Sequence, residues 1–424
     1  MSASGDTCDL AIVGAGILGL ATARELLDRK PDLRVCVVER EARVGMHQTA
    51  HNSGVVHAGI YYAPGSLKAR LCVEGARELY AFCERHGIPV ERCGKVIVAR
   101  TPEELPGLDA LEERGRRNGV PGLRRVDRAG LRELEPHAEG VGALHSPATG
   151  IVDFPAVARA LAAQVVQRGG TLALGREVTG VDSGPTEVVL RTATGELTAR
   201  HAVFCAGAWS DRLAVAAGAP PDPRIVPFRG AYLRLRPERR HLVRSLIYPV
   251  PDPALPFLGV HLTRHIGGDV LVGPTALMAG ARDAYRVRRI RPHDLAATLA
   301  WPGTWRMARR WWRTGLAEMC YAASRTAFVH AAQRYLPDLR PDDVLPGPAG
   351  VRAQALGRDG ALVDDFVISH TGRGLHVRNA PSPAATSSLA IARLIADRAQ
   401  EAFDLPGQRP ASLSSGSERA ARSS

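Results

Sequence analysis

The 424-residue chain is 45% hydrophobic and 23% charged, the balance of a globular protein with enough chain for two domains. It holds no apolar run of the ~18 residues needed to span a bilayer, and residues 1–9 are short and polar without a secretory signal pattern, so a cytoplasmic location is expected. The net charge of +12 does not point to nucleic acid: the arginines are spread along the chain without interleaved stacking aromatics, and only Lys30, Lys68 and Lys95 are lysines among 55 basic residues.

In chain order, Leu10-Ala11-Ile12-Val13 reads as a buried strand, Gly14-Ala15-Gly16-Ile17-Leu18-Gly19 as a turn into a helix, and Val35-Cys36-Val37-Val38 as a second strand closed by Glu39. This is a dinucleotide site: Gly14 for the tight turn, Gly16 for approach of a pyrophosphate, Gly19 for close helix packing, and Glu39 for ribose hydroxyls. The helix start offers free N–H groups to the phosphates. A Gly- and His-rich loop follows at 47–62, then a helix over 67–86, a strand over 95–99 and a charged helical or loop stretch over 101–140. A helix is expected at 154–168, strands near 171–182 and 186–192 hinged at Ser183-Gly184-Pro185, and a buried strand at 202–207. Residues 226–275 read as strand-rich, 292–336 as helical, 384–402 as the last helix, and the chain after 405 as disordered. The seven cysteines stand singly, with no CxxC pair to frame a disulfide or a metal site.

Chemistry concentrates in three places. His47, His51 and His57 lie just past the Glu39 strand, where ligands bind in Rossmann-like sheets. An imidazole can take the proton of a substrate hydroxyl as the carbon-bound hydrogen leaves as hydride to a flavin; the alternative is that these rings only hydrogen-bond within the loop. Arg352, behind Gly350, offers a planar fork to a carboxylate or to a surface ion pair. The small-residue turn at 381–387 feeding a helix favours flavin over nicotinamide, because a helix N-terminus stabilises the negative charge of a reduced flavin. Trp301, Trp305, Ala308 and Trp312 fall on one helical face with Arg306, Arg309, Arg310 and Arg313 mainly elsewhere; such a segment lies in a membrane interface or packs its tryptophans against the protein. Where arginine has displaced lysine nearly throughout, Lys68 and Lys95 stand out, since a compact ammonium and a planar fork are not equivalent.

The long runs HNSGVVHAGIYYAPGSLKARLCVEGARELY, CGKVIVA, TGIVDF, CAGAWSDRL, IYPVPDPALPFLGVHLTR, GPAGVRAQAL and HVRNAPSPAATSSLAIA resemble the L-2-hydroxyglutarate dehydrogenase/oxidase family, of the D-amino-acid-oxidase-like group, over about residues 8–400. The resemblance implies an α/β fold: a Rossmann-like FAD-binding domain of the D-amino-acid-oxidase/glutathione-reductase type (1–92, 150–225 and 345–405) interleaved with a mixed-sheet substrate domain (93–149 and 226–344). The tryptophan/arginine pattern leaves 301–314 able to face a membrane, and composition gives a disordered tail at 406–424. Peripheral contact with the inner face of the membrane is a separate expectation from the tryptophan/arginine segment. The resemblance also implies FAD, oxidation of L-2-hydroxyglutarate to 2-oxoglutarate, and electrons passed to a quinone or O2. By position Gly14, Gly16, Ile17, Leu18, Gly19, Glu39, Arg40, Asn52, Ser53, Gly54, Val178, Ala206, Gly207, Ser382, Ala384, Ala385 and Thr386 fall in its cofactor site. His57, preferred as base to His51 or His261, falls in its active-site segments with Arg352, and Lys68 in its SLKA motif. Three positions depart from the family: Ala231 replaces the acid after Phe228-Arg229-Gly230, Thr275 an asparagine and Ala281 a lysine. These keep open another 2-hydroxy acid, or an amino acid, as substrate.

Overall fold

The computed structural model describes residues 6–252, 258–403 and 405. The expected disordered tail at 406–424 lies outside the described residues. Strand β1 (Asp6–Val13) runs parallel to β2 (Val35–Val38) on one side and to the strand Gly195–Phe204 on the other. Thr171–Ala173 adds in parallel outside β2, and Gly374–Asn379 adds in parallel to the far end of Gly195–Phe204. The hairpin Val178–Ser183/Val188–Thr192, hinged at the expected Ser-Gly-Pro turn, and the antiparallel strand Val367–Thr371 complete an eight-stranded sheet. Leu10, Ile12, Val35 and Val37 bury on one face, Ala11, Val13, Cys36 and Val38 on the other. This two-sided burial is why these strands read as continuous apolar runs. Helix α1 (Ile17–Arg29) covers the first face together with Phe154–Gln167 and Ser388–Phe403.

A nine-stranded sheet forms the second layer. Arg224–Leu235 pairs antiparallel along its length with Val344–Leu356. The order continues through Val270–Gly273, His261–Arg264, Leu246–Pro249, Lys95–Ala99, Gly142–Ser146 and Arg124–Asp127, with Leu246–Pro249 parallel to Lys95–Ala99. A small sheet joins β3 (Val55–Val56) to Gly150–Val152 and Val90–Glu91. Helix α2 (Leu67–Arg85) starts one residue after Ser66, whose hydroxyl caps Ala69 N–H.

Three expectations are corrected. The charged stretch hides the edge strand Arg124–Asp127; its polar residues suit a sheet edge and mask its pattern. The last helix begins at Ser388, because 381–387 folds as successive turns closed by Ala384 N–H to Pro381 O and Ser387 N–H to Pro383 O. The tryptophan segment is two helices, Pro302–Arg310 and Trp312–Ala323, parted where Trp311 leaves helical geometry (φ −118°, ψ 30°). Trp301 is buried, its Nε1–H donating to Leu356 O, so the three tryptophans do not share one exposed face.

Candidate active site

A cleft of about 1230 Å3 runs from the glycine turn to Arg352. At one end Gly14 sits at φ +108°, where only glycine is at ease, and a side chain on Gly19 would strike the Gly14 carbonyl. A Cβ on Gly16 would meet nothing nearer than Thr49 Oγ1 at 3.6 Å, so the space it leaves belongs to the cleft. Ile17 N–H already donates to Thr49 Oγ1 (3.1 Å), so this helix-start donor is held by the protein. Glu39 lines the cleft and accepts from Ala15 N–H (2.7 Å) and Glu41 N–H (3.0 Å); its carboxylate thereby steadies the glycine turn and keeps lone pairs for hydroxyls. Arg40 lies 4.3 Å above the Trp209 ring and pairs with Glu41 at 3.1 Å.

Of the expected cofactor residues, Gly14, Gly16, Ile17, Leu18, Glu39, Arg40, Asn52, Ser53, Val178, Ala206, Gly207, Ser382, Ala384, Ala385 and Thr386 all line this cleft. Gly19 and Gly54 stand behind the lining. Asn52 acts first on its own loop: its Nδ2 donates to Thr49 O (2.7 Å) and Gln48 O (3.2 Å), and its Oδ1 accepts from Gly54 N–H (2.7 Å). Thr386 ties the C-terminal turn to the histidine loop, donating to Val55 O (3.2 Å) and accepting from His57 N–H (3.1 Å).

The other end of the cleft gathers His57, Tyr61, Tyr232, Tyr248, His261 and Arg352. His57 Nδ1 and Tyr61 Oη are buried without a hydrogen-bond partner. Such atoms cost about 1–3 kcal/mol each unless a ligand or water meets them, so both point to a polar ligand here. Burial, with help from the Lys95 and His261 charges, pushes His57 down to about 3. Burial does the same to His261, to about 3, with Arg352 and Lys95 assisting against its Nδ1–H bond to Gly259 O (2.8 Å). Both rings are therefore neutral at pH 7. Gly350 lets the Arg352 strand pass the histidine loop, since a side chain there would strike the His51 carbonyl.

The remaining candidates sit differently. His51 lies in the cleft wall, stacked on Tyr285 at 3.7 Å with its Nδ1–H on Ala349 O, and burial lowers its pKa. Lys68, expected beside a substrate carboxylate, is ion-paired with Asp364 (2.7 Å) over the Tyr62 ring and does not line the cleft. Tyr232 and Tyr248 were not legible in the sequence, because lone tyrosines on strands read as sheet residues. Lys95, flagged only by its rarity, stands buried behind the histidines.

Sheet, glycine turn and cleft together define a dinucleotide-dependent oxidoreductase. The family described as "FAD dependent oxidoreductase" matches residues 9–398. Similar curated proteins are "L-2-hydroxyglutarate dehydrogenase, mitochondrial" of Nematostella vectensis, 50% identical (94% of this chain, 91% of that one), its Homo sapiens counterpart, 46% identical (95% and 91%), and "L-2-hydroxyglutarate dehydrogenase" of Escherichia coli, 44% identical (92% and 93%). Among solved structures, L-α-glycerophosphate oxidase of Mycoplasma pneumoniae with FAD bound has a TM-score of 0.76 at 24% identity, covering 93% of this chain and 95% of that one. Glycine oxidase of Geobacillus kaustophilus has a TM-score of 0.69 at 22%, with the same coverages. The chain belongs to the FAD-dependent oxidoreductases and, within them, to the L-2-hydroxyglutarate dehydrogenase family. Its cofactor is FAD.

Proposed function

We propose that this protein oxidises L-2-hydroxyglutarate to 2-oxoglutarate. One observation carries the reading: a neutral imidazole with a buried, unpartnered Nδ1 lines the same cleft as the Arg352 guanidinium. FAD, when bound, would supply at N5 the acceptor for the carbon-bound hydrogen, with a quinone or O2 as final electron acceptor. The glycine turn, Glu39, Arg40 and the 382–386 turn would hold it. His57 takes the hydroxyl proton, being uncharged and therefore ready to accept one. Arg352 fixes a substrate carboxylate through its planar fork. His261 and the tyrosines complete the walls, and Lys68 supports the rim through Asp364. In this reading the eight-stranded sheet serves the cofactor and the nine-stranded sheet the substrate.

A substrate change has less support from the site. Ala231, Thr275 and Ala281 are not among the cleft-lining residues, although Gly230 and Pro274 are. Thr275 Oγ1 accepts from Ala231 N–H, and Thr275 N–H donates to Ala231 O, so these two positions satisfy each other within the sheet.

Anaerobic addition of L-2-hydroxyglutarate to the FAD-loaded protein is expected to bleach the flavin absorbance. Bleaching by other 2-hydroxy or 2-amino acids, with none by L-2-hydroxyglutarate, would overturn the substrate assignment. We also assign a membrane-surface contact to the second tryptophan helix. Trp312–Ala323 contains no buried residue, and it exposes Trp312, Leu316 and Met319 on one stripe beside exposed arginines. Among the described residues, no helix is long and apolar enough to cross a membrane.

A further inference from the structure

Lys95 is among the largest fully buried side chains of the described residues, with 1% of its surface exposed. It begins the interior strand Lys95–Ala99 of the nine-stranded sheet, paired to Leu246 on one side and Ser146 on the other. Its ammonium lies 4.0 Å from the Tyr248 ring centroid and 5.1 Å from that of Tyr61, two rings that also form the cleft wall. Tyr248 in turn touches His261 at 4.1 Å between ring centroids. The ammonium is thus a cation held on aromatic faces immediately behind the reacting end of the cleft.

The titratable groups facing this cluster come from every element around it. Cys72 reaches in from α2 and Cys93 from the turn before the strand. Tyr61 and His57 come from the histidine loop, Tyr248 and His261 from neighbouring strands, and Arg352 from beyond His261. Among the described residues no carboxylate contributes to the balance at Lys95. A buried cation in this setting repels any second one, and its repulsion reaches both imidazoles, with Arg352 adding to it at His261.

We propose that Lys95 is a positioning residue that takes the first proton offered to this pocket, its charge adding to burial in keeping His57 and His261 unprotonated. Burial pushes the ammonium down to about 7, just above the ordinary imidazole value of 6.5, so it is charged over the range in which a free histidine would protonate. An uncharged His57 is thereby retained as proton acceptor on the acid side of neutrality, and the ammonium favours entry of an anionic substrate. An arginine here would stay charged at all pH values and could not release the proton, which accounts for one of only three lysines standing at this place.

The proposal rests on the proposed function only for its consequence, so its test reads the histidines directly. Imidazole C–H resonances of the FAD-loaded protein are titrated in the wild type, in Lys95→Met and, for assignment, in His57→Asn and His261→Asn. In Lys95→Met, at least one of the two imidazoles is expected to titrate about one pH unit or more higher than in the wild type. The acid limb of the flavin-reduction rate moves by the same amount. Lys95→Gln serves as a second charge-free variant, and a retained flavin spectrum certifies each fold. Unchanged imidazole titrations in folded Lys95→Met overturn the proposal, whichever substrate reduces the flavin. Failure of L-2-hydroxyglutarate to bleach the wild type overturns the substrate assignment and leaves the titration result standing.

Discussion

His57 combines features that seldom coincide: a half-buried ring, a buried Nδ1 without a partner, and a backbone N–H anchored to Thr386. The ring is held for something that enters the cleft. His57→Ala is expected to keep FAD, because the ring makes no contact with the glycine turn, while slowing anaerobic flavin reduction by roughly 10²–10⁴-fold; a near-normal rate would remove it as the base. Burial also leaves a thermodynamic mark. The folded-state values of His57, His261 and Lys95 all lie below their ordinary ones, so the unfolded chain binds more protons and stability rises with pH. The histidines contribute that rise between about 3 and 6.5, and Lys95 between about 7 and 10.5. Replacing Lys95 by methionine removes the cost of burying an ammonium, about 1.4 kcal/mol for each pH unit by which burial lowers its titration. Melting curves at pH 6 are expected to show Lys95→Met more stable than the wild type, with the gap closing toward pH 10. A constant gap would mean that packing, not charge, sets the difference.

The first β-α-β unit was legible in the sequence because strand burial, glycine sterics and the Glu39 spacing all follow from local rules. The last helix was legible only in part, since its start depends on turns that Thr386 and Val55 stabilise across the fold. Arg124–Asp127 was hidden because an edge strand needs no apolar alternation. The tryptophan segment misled for a different reason: helical spacing cannot report that Trp301 turns inward onto Leu356 while Trp305 (62% exposed) and Trp312 (55%) face out. Replacing Trp305 and Trp312 by alanine is therefore expected to reduce co-sedimentation with anionic liposomes several-fold, with flavin content unchanged. Equal co-sedimentation would place any membrane contact elsewhere.

At the scale of the whole molecule, the site is a junction. The glycine turn follows β1, a second turn lies beyond Phe204, a third spans 382–386, His57 comes from the histidine loop, and His261 and Arg352 come from strands of the other sheet. Chemistry-bearing residues were findable by motif where they cluster in sequence, as in the 47–62 loop. They were missed where the fold alone assembles them, as with Tyr232 and Tyr248. A ligand that touches so many separate segments stabilises their mutual arrangement. Stripping FAD is expected to lower the melting midpoint by several degrees and restoring it to raise the midpoint with concentration, since ligand at 100 times Kd adds about 2.7 kcal/mol. A midpoint indifferent to FAD would count against the cleft as its seat.

The sheet that opens at Asp6 is not complete until Gly374–Asn379 joins Gly195–Phe204 and Ser388–Phe403 packs onto α1, where Arg29 hydrogen-bonds Asp397 and Gln400. Synthesis proceeds from the other end. The ribosome therefore releases the Gly14–Gly19 turn long before the strand and helix that complete its sheet. A chain that stops before Gly374 lacks that strand, the 382–386 turn and that helix together, and is expected not to retain FAD.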